Sequence, residues 1–276
     1  MADFSVLMSV YRRESPSHLD MCLESLENQT LLAAEVIIVK DGPLGPDLHL
    51  VLDAHSARLP IRAIQLPENR GTGAAVRIGV SECSHDLVAR MDSDDINVSF
   101  RFEHQMRFLS NHPEIDVLGG QISEFMDQPG DSNCIRAVPI QHDAIAAFAR
   151  RRNPINQMTV MFRKSAVLAA GNYRSWLGFE DYELWVRMLL NSSRFHNLDE
   201  TLVFVRCGNG MHSRRGGWNY ARREAALFWS FRNAGFLTTG AALRAIACRV
   251  PARLIPASLR TQVYNRLLRR HVRQPE

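Results

Sequence analysis

Between residues 4 and 120 the chain repeatedly switches its hydrophobic period, and this alternation limits what it can fold into more than any other feature. Apolar runs of strand length stand at FSVLMSVY (4–11), EVIIVKDG (35–42), IRAIQL (61–66), DLVAR (86–90) and IDVLGG (115–120). The stretches between them have helical spacing. SPSHLDMCLESLENQ puts Leu19, Cys22, Leu23 and Leu26 at i, i+3, i+4 and i+7 behind a Ser-Pro start. HLVLDAHS reads as a short helix, GTGAAVRIGVSEC as a helix opened by glycines, and SFRFEHQMRFLSNHP as one with Phe102, Met106 and Leu109 on a single face, stopped by Pro113. Strands joined by helical crossovers of this length predict a mostly parallel α/β sheet with helices on both faces.

In such Rossmann-like layers, ligands bind beyond the carboxyl ends of the strands. Tyr11, Asp41, Asn69 and Asp92 all fall at or just after an expected strand end, so polar groups from distant parts of the chain should meet in one crevice. The second half is less regular. A strand at 158–162 and a short helix lie within NPINQMTVMFRKSAVLAAGNY, GFEDYELWVRMLLN forms a helix burying Tyr182, Trp185, Met188 and Leu189, and TLVFVRC forms a late strand. After Cys207 the tail reads as helical, interrupted by Pro251 and Pro256.

The stretch LVARMDSDDI (87–96) places Asp92, Asp94 and Asp95 within four residues, with Ser93 among them. Like charges this close repel, and a hard divalent ion such as Mg²⁺ or Mn²⁺, held by oxygen ligands and completed by substrate phosphates, would offset them. A solvated turn or helix cap explains the same spacing. Asp41 before Gly42 is either a ligand-binding acid or an ordinary turn, and Glu180-Asp181 is either functional or favourable charge in a first helical turn.

Charge divides the chain unevenly. Residues 1–205 carry 19 basic and 27 acidic side chains, whereas residues 206–276 carry 14 basic, all arginine, and 2 acidic. Such a basic segment suits anions: nucleic acid, anionic headgroups or phosphorylated substrates. From Ser258 onward a helical projection separates Val263, Tyr264, Leu267, Leu268 and Val272 from Arg266, Arg269, Arg270 and Arg273, with only Arg260 spoiling the division, which describes either a membrane-surface helix or one packed on the domain. The five cysteines, Cys22, Cys83, Cys134, Cys207 and Cys248, show no CxxC spacing and read as buried reduced thiols. No basic start with a long apolar centre opens the chain, and no apolar run approaches the ~20 residues of a bilayer span. The expectation is a cytoplasmic protein.

FSVLMSVYRRE, EVIIVKDGP, LPENRGTGAAVRIGV, ARMDSDD and GFEDYELWVRM, in that order, resemble family 2 glycosyltransferases of the GT-A fold, most of all the bacterial amylovoran, exopolysaccharide and O-antigen type. The resemblance covers roughly residues 4–220. It implies a GT-A domain over 1–220, with a nucleotide-binding half (1–120) and an acceptor-side half (121–220), followed by a basic helical extension over 221–276. It implies transfer of one sugar, with inversion, from a nucleotide-diphosphate sugar to a lipid-linked or glycan acceptor. Asp92 and Asp94 match the DxD motif that holds Mn²⁺ or Mg²⁺, Asp94 as the more direct ligand. Ser9, Tyr11, Asp41, Asn69, Asp92 and Ser93 line the nucleotide-sugar pocket, and Asp181 matches the general base. His212, Arg214 and Arg215 fall where basic groups approach the donor diphosphate.

Departures from the pattern matter too. Lys40 replaces an acid of the usual DDGS, Gln157 stands where His is expected, and the QxxRW of processive synthases is absent. The implied membrane contact runs through 258–273 on the inner face, with no nucleic acid as partner. Two rivals remain at this point: a sugar nucleotidyltransferase or phosphotransferase using the same carboxylates, and a non-catalytic basic binder. No GxxxxGK[ST] loop supports the former.

Overall fold

The computed structural model describes residues 3–131, 134–207 and 216–254, together with the backbone of Arg270–His271. Its first third is the expected alternation: β1 (Phe4–Val10), α1 (Pro16–Glu27), β2 (Glu35–Lys40), α2 (Pro46–Ser56), β3 (Ile61–Gln65), α3 (Thr72–Glu82) and β4 (Leu87–Arg90). Strands β3, β2, β1 and β4 lie side by side in that order, all parallel. The period-2 alternation of β1 feeds two cores. Phe4, Val6, Met8 and Val10 pack with Leu19, Cys22 and Leu23 of α1 and Leu48 and Leu52 of α2 on one face. Leu7 packs on the other face with Ala75, Val76 and Val80 of α3. Both faces of the sheet are therefore dry, which is why these strands are apolar at nearly every position.

Beyond β4 the sheet turns mixed. β5 (Ile96–Asn97) and α4 (Arg101–Asn111) lead to β6 (Val117–Phe125), β7 (Cys134–Arg136), α5 (His142–Ala149), a single 3₁₀ turn at Gln157–Thr159, β8 (Met161–Arg163) and α6 (Lys164–Ala169). β8 wedges antiparallel between β4 and β6, and β7 pairs antiparallel with the outer side of β6. After α7 (Glu180–Leu190), the long β9 (Phe195–Arg206) runs parallel to β6 and antiparallel to β5. The parallel order thus holds for β1–β4, and the antiparallel pairings all involve strands that follow them.

Two helices close the described chain, α8 (Trp218–Asn233) and α9 (Thr239–Leu254). Leu227, Phe228, Phe231, Leu237 and Ala242 pack against Phe179, Tyr182 and Val186 around α7, so this hairpin has its own small core bolted to the main domain through α7. Glu224 clamps it from within, accepting from Arg253 Nε at 2.7 Å and Arg249 Nε at 2.7 Å.

Several local expectations need correction. Pro251 does not interrupt the tail helix; α9 runs through it to Leu254. The strand expected at 158–162 begins only at Met161, because the preceding residues form the 3₁₀ turn. Arg270 and His271, placed on the helical projection, form β10, a two-residue strand against β7. The rest of 255–276, including Pro256, lies outside the described residues. Of the cysteines, Cys22, Cys83 and Cys134 are buried, but Cys207 is half-buried and Cys248 exposed, because α9 presents that face to solvent. Burial pushes the Cys83 thiol up to about 12.

Candidate active site

Because β2, β1 and β4 are adjacent and parallel, their carboxyl ends deliver Asp41, Tyr11 and Asp92 to one edge. Ser9 lies on β1 opposite Val39 of β2, half-buried just below that edge. Asp41 is 4% exposed and its carboxylate is fully used. Oδ1 accepts from the Arg70 amide at 2.7 Å, and Oδ2 accepts from the Gly71 amide at 2.9 Å and from Asn69 Nδ2 at 3.0 Å. The strand-end acid and Asn69, both anticipated at the site, therefore meet each other, and Asp41 is the anchor of the 69–71 loop.

Two glycines make that loop possible. Gly42 has φ +87°, and a Cβ there would sit 2.7 Å from the Asn69 nitrogen. Gly73, in the first turn of α3, leaves room for Glu180; an added Cβ would lie 3.2 Å from the Glu180 Cβ. The loop anchored by Asp41 thus continues into a helix that touches the start of α7. This contact joins the Asp41 side of the edge to the Glu180-Asp181 side.

The acidic loop after β4 is neutralised partly from below. Arg90, 1% exposed, donates from Nη2 to Asp92 Oδ1 at 2.7 Å. A second buried cation, Arg101, donates to the Arg90 carbonyl at 2.8 Å and to Gln105 Oε1 at 3.1 Å, tying the strand end to α4. Burial, with Arg90 nearby, brings Arg101 down to about 9. The Arg206 amide at the end of β9 donates to Asp95 Oδ1 at 3.1 Å, and Ser93 Oγ donates to Glu14 Oε2 at 2.6 Å. The Cys22 thiol donates to the Asp92 carbonyl at 3.3 Å.

Negative charge is still in excess. Burial and then the neighbouring Asp94 and Asp92 push the Asp95 carboxyl well above the usual carboxylate range. Among the described residues no group of three or more His, Cys, Asp or Glu side chains is arranged to hold a metal ion. A hard divalent ion that is completed by water and phosphate oxygens needs only one or two carboxylates. Asp94 and the second oxygen of Asp92, half-exposed above the buried Asp95, suit that requirement.

Three acids occupy the first turn of α7, where the helix macrodipole favours negative charge. Glu183 is committed to Arg187, at 2.7 Å, and to Arg174. Glu180 is buried against Gly73, and burial followed by Asp181 raises its carboxyl. Asp181 is half-exposed, its Oδ2 accepting from Asn153 Nδ2 at 2.5 Å and its Oδ1 from the Tyr182 amide at 2.7 Å. Of the three, it is the one that is both half-exposed and held in orientation by two hydrogen bonds. His212, Arg214 and Arg215 lie outside the described residues.

The sequence reading did not single out Glu14, Arg90, Asn153 or Arg206. Arg90 left a trace, since a cation ending a strand whose other residues are all apolar is unusual. Nothing in the sequence marks the Asn153 amide as a partner of a carboxylate 28 positions away.

The sequence model of glycosyl transferase family 2 matches residues 5–172. The chain is 41% identical over 225 residues to the amylovoran biosynthesis glycosyltransferase AmsE of Erwinia amylovora, covering 82% of this chain and 84% of that one. It is 35% identical over 267 residues to an Escherichia coli UDP-Gal:alpha-D-GlcNAc-diphosphoundecaprenol beta-1,3-galactosyltransferase, covering 97% of each. In fold it is similar to S. aureus TarS 1–349 solved in complex with UDP-GlcNAc, with a TM-score of 0.68 and 18% identity over 91% of this chain and 72% of that one. It spans 43% of the longer TarS chain. A mixed sheet of the GT-A kind, a family match over most of its length and relatives 41% and 35% identical over most of both chains lead to one conclusion: the chain belongs to glycosyltransferase family 2.

Proposed function

We propose that this glycosyltransferase moves one sugar from a nucleotide-diphosphate donor to a hydroxyl of a lipid-linked glycan, inverting the anomeric centre, in the assembly of a surface polysaccharide. The observation that carries this reading is the contact between Gly73 and Glu180, which brings the loop anchored by Asp41 against the turn bearing Asp181. That contact supports a reading in which donor and base face each other across one crevice. The printed activity of the E. coli relative, on a diphosphoundecaprenol acceptor, supports the lipid-linked class.

In this reading Tyr11, Ser9 and the 69–71 loop line the nucleotide, with Asp41 acting through the loop it anchors. Asp92 and Asp94 hold Mn²⁺ or Mg²⁺, which when bound supplies positive charge to the diphosphate. Asp181 accepts the proton of the acceptor hydroxyl as its oxygen bonds to the anomeric carbon, while the bond from that carbon to the diphosphate oxygen breaks and the nucleotide diphosphate departs with the bonding pair. Asn153 and the Tyr182 amide hold the Asp181 carboxylate in one orientation. Residues 1–120 serve the nucleotide, 121–220 the acceptor, and 221–276 form a basic extension.

That extension supports peripheral contact with an anionic membrane. On α8 and α9, Trp218, Trp229, Leu243 and Leu254 are exposed, and Arg222, Arg223, Arg232 and Arg244 are exposed with them. The hairpin's single acid, Glu224, is spent internally on Arg249 and Arg253. Among the described residues no helix is long and apolar enough to cross a membrane.

The deciding experiment is turnover of a panel of UDP-sugars and GDP-sugars on a synthetic polyprenyl-diphosphate sugar, with and without Mn²⁺. One donor should be used, only with metal, and Asp94→Ala and Asp181→Asn should each remove activity. Full turnover in either variant would refute the assigned roles.

A further inference from the structure

The sequence contains one run of three consecutive basic residues, Arg150, Arg151 and Arg152, and it stands inside the acid-rich body rather than in the arginine-rich end. The run begins at the C-cap of α5, and the residues on either side of it are pinned to the turn that carries the proposed base. Before it, the Ala149 carbonyl accepts from Tyr182 Oη at 2.5 Å. After it, Asn153 Nδ2 donates to Asp181 Oδ2 at 2.5 Å. The three arginines thus form a short loop clamped at both ends onto residues 181 and 182.

The loop also meets the α8–α9 hairpin. Arg249 of α9 donates from Nη1 to the Arg151 carbonyl at 3.3 Å, and the Arg150 guanidinium lies over the Phe236 ring, 5.9 Å from its centre. Arg249 shares the single carboxylate of Glu224 with Arg253, so that trio keeps a net positive charge. Arg152 is half-buried over Phe148. Arg150 and Arg151 are exposed, and among the described residues neither pairs with a carboxylate. A helix C-terminus gains from one cation. Three abutting ones repel one another, as the carboxylates of the acidic loop do, and an anion with several oxygens would offset them, since the guanidinium fork matches phosphate.

We propose that Arg150 and Arg151, backed by Arg249, form an anion site for the diphosphate of a lipid-linked acceptor, and that this site selects diphosphate-linked sugars over neutral glycosides. The proposal rests on the transferase reading, in which the donor diphosphate belongs to the Asp92–Asp94 side. The second diphosphate of the reaction joins the acceptor sugar to its lipid, so it lies one sugar ring away from the hydroxyl that Asp181 deprotonates. The clamped loop offers its arginines at that remove, one to three residues before the asparagine that holds Asp181. It is bonded as well to the hairpin whose exposed tryptophans and leucines suit a lipid. One short loop would then grip the acceptor and orient the base.

The test uses the full chain with Mn²⁺ in a neutral detergent, the donor found in the panel above, and two acceptors with the same sugar and lipid, joined either by a diphosphate or by a neutral glycosidic bond. Wild type should use the diphosphate acceptor better than the neutral one, on the order of 10- to 100-fold in kcat/KM. In Arg150→Gln with Arg151→Gln that preference should collapse to about threefold or less through a rise in acceptor KM, with donor KM and turnover of the neutral glycoside within about twofold of wild type. Arg151→Lys, which keeps the charge, should retain most of the preference. The site is overturned by a wild type indifferent to the linker, or by equal losses on both acceptors, which would leave the loop as a support for Asp181 alone. A raised donor KM with the acceptor preference intact would assign the arginines to the donor and overturn it too. So would a loss seen only on anionic vesicles, which would assign them to lipid headgroups. Wild-type protein that turns over no donor with either acceptor would instead refute the transferase reading, and the site with it.

Discussion

At the scale of the residue, the site is a set of carboxylates in different employments. Asp41 is consumed by backbone and Asn69, Asp92 by a buried arginine, Asp95 by an amide, and Asp181 by an asparagine and an amide while it stays half-exposed. These employments predict different kinetic signatures. Asp181→Asn keeps the shape and removes the base, so kcat should fall about 10²–10⁴-fold with little change in donor KM, as read from steady-state kinetics. Asp41→Ala should raise the donor KM and cost about 1–3 kcal/mol of stability in urea melts, because the Arg70 and Gly71 amides and Asn69 lose their acceptor. The acids themselves were legible in sequence, since strand ends, the DSDD cluster and Glu180-Asp181 are local patterns. Their partners were not: Asp41 meets residues 28–30 positions away, and Arg90 is a site residue only because of what surrounds it in space.

At the scale of the element, the first four strands were readable because each is an apolar run of ordinary length flanked by helical periods. β5, β7 and α5 escaped because pieces of two, three and eight residues are too short for a period to show. The α8–α9 hairpin is held to itself through Glu224. Burial alone would push that carboxyl up, but Arg253 and Arg249 outweigh it and leave Glu224 below the ordinary range. A carboxyl lowered on folding contributes stability above its unfolded value, ~4.3, and loses that contribution as pH falls through the folded one. Acid should therefore loosen the hairpin, followed by Trp fluorescence between about pH 5 and 2. Glu224→Ala should cost about 3–5 kcal/mol at neutral pH in a urea titration, since two guanidiniums lose their partner.

At the scale of the whole molecule, charge sorts function. The acid-rich body holds the candidate site, and the arginine-rich hairpin carries exposed tryptophans and leucines while its single acid, Glu224, is paired internally. Co-sedimentation with vesicles containing anionic lipid should be substantial at low salt and fall as salt rises. Arg222→Glu with Arg223→Glu should weaken it by roughly 1 kcal/mol or more per residue, while leaving turnover of a water-soluble acceptor unchanged. The lopsided composition made this division visible early; the placement of the hairpin on α7 did not show, because it depends on Phe228 and Phe231 finding Tyr182.

The hydrogen bond from the Arg206 amide to Asp95 spans 111 positions. A ribosome adding about 5–20 residues per second exposes the acidic loop several seconds before the strand that steadies it has been made. The parallel strands can assemble in that interval, but their most highly charged edge waits for β9. During its own synthesis the enzyme is thus a folded sheet with an unfinished mouth, and it becomes competent only when almost its last strand arrives.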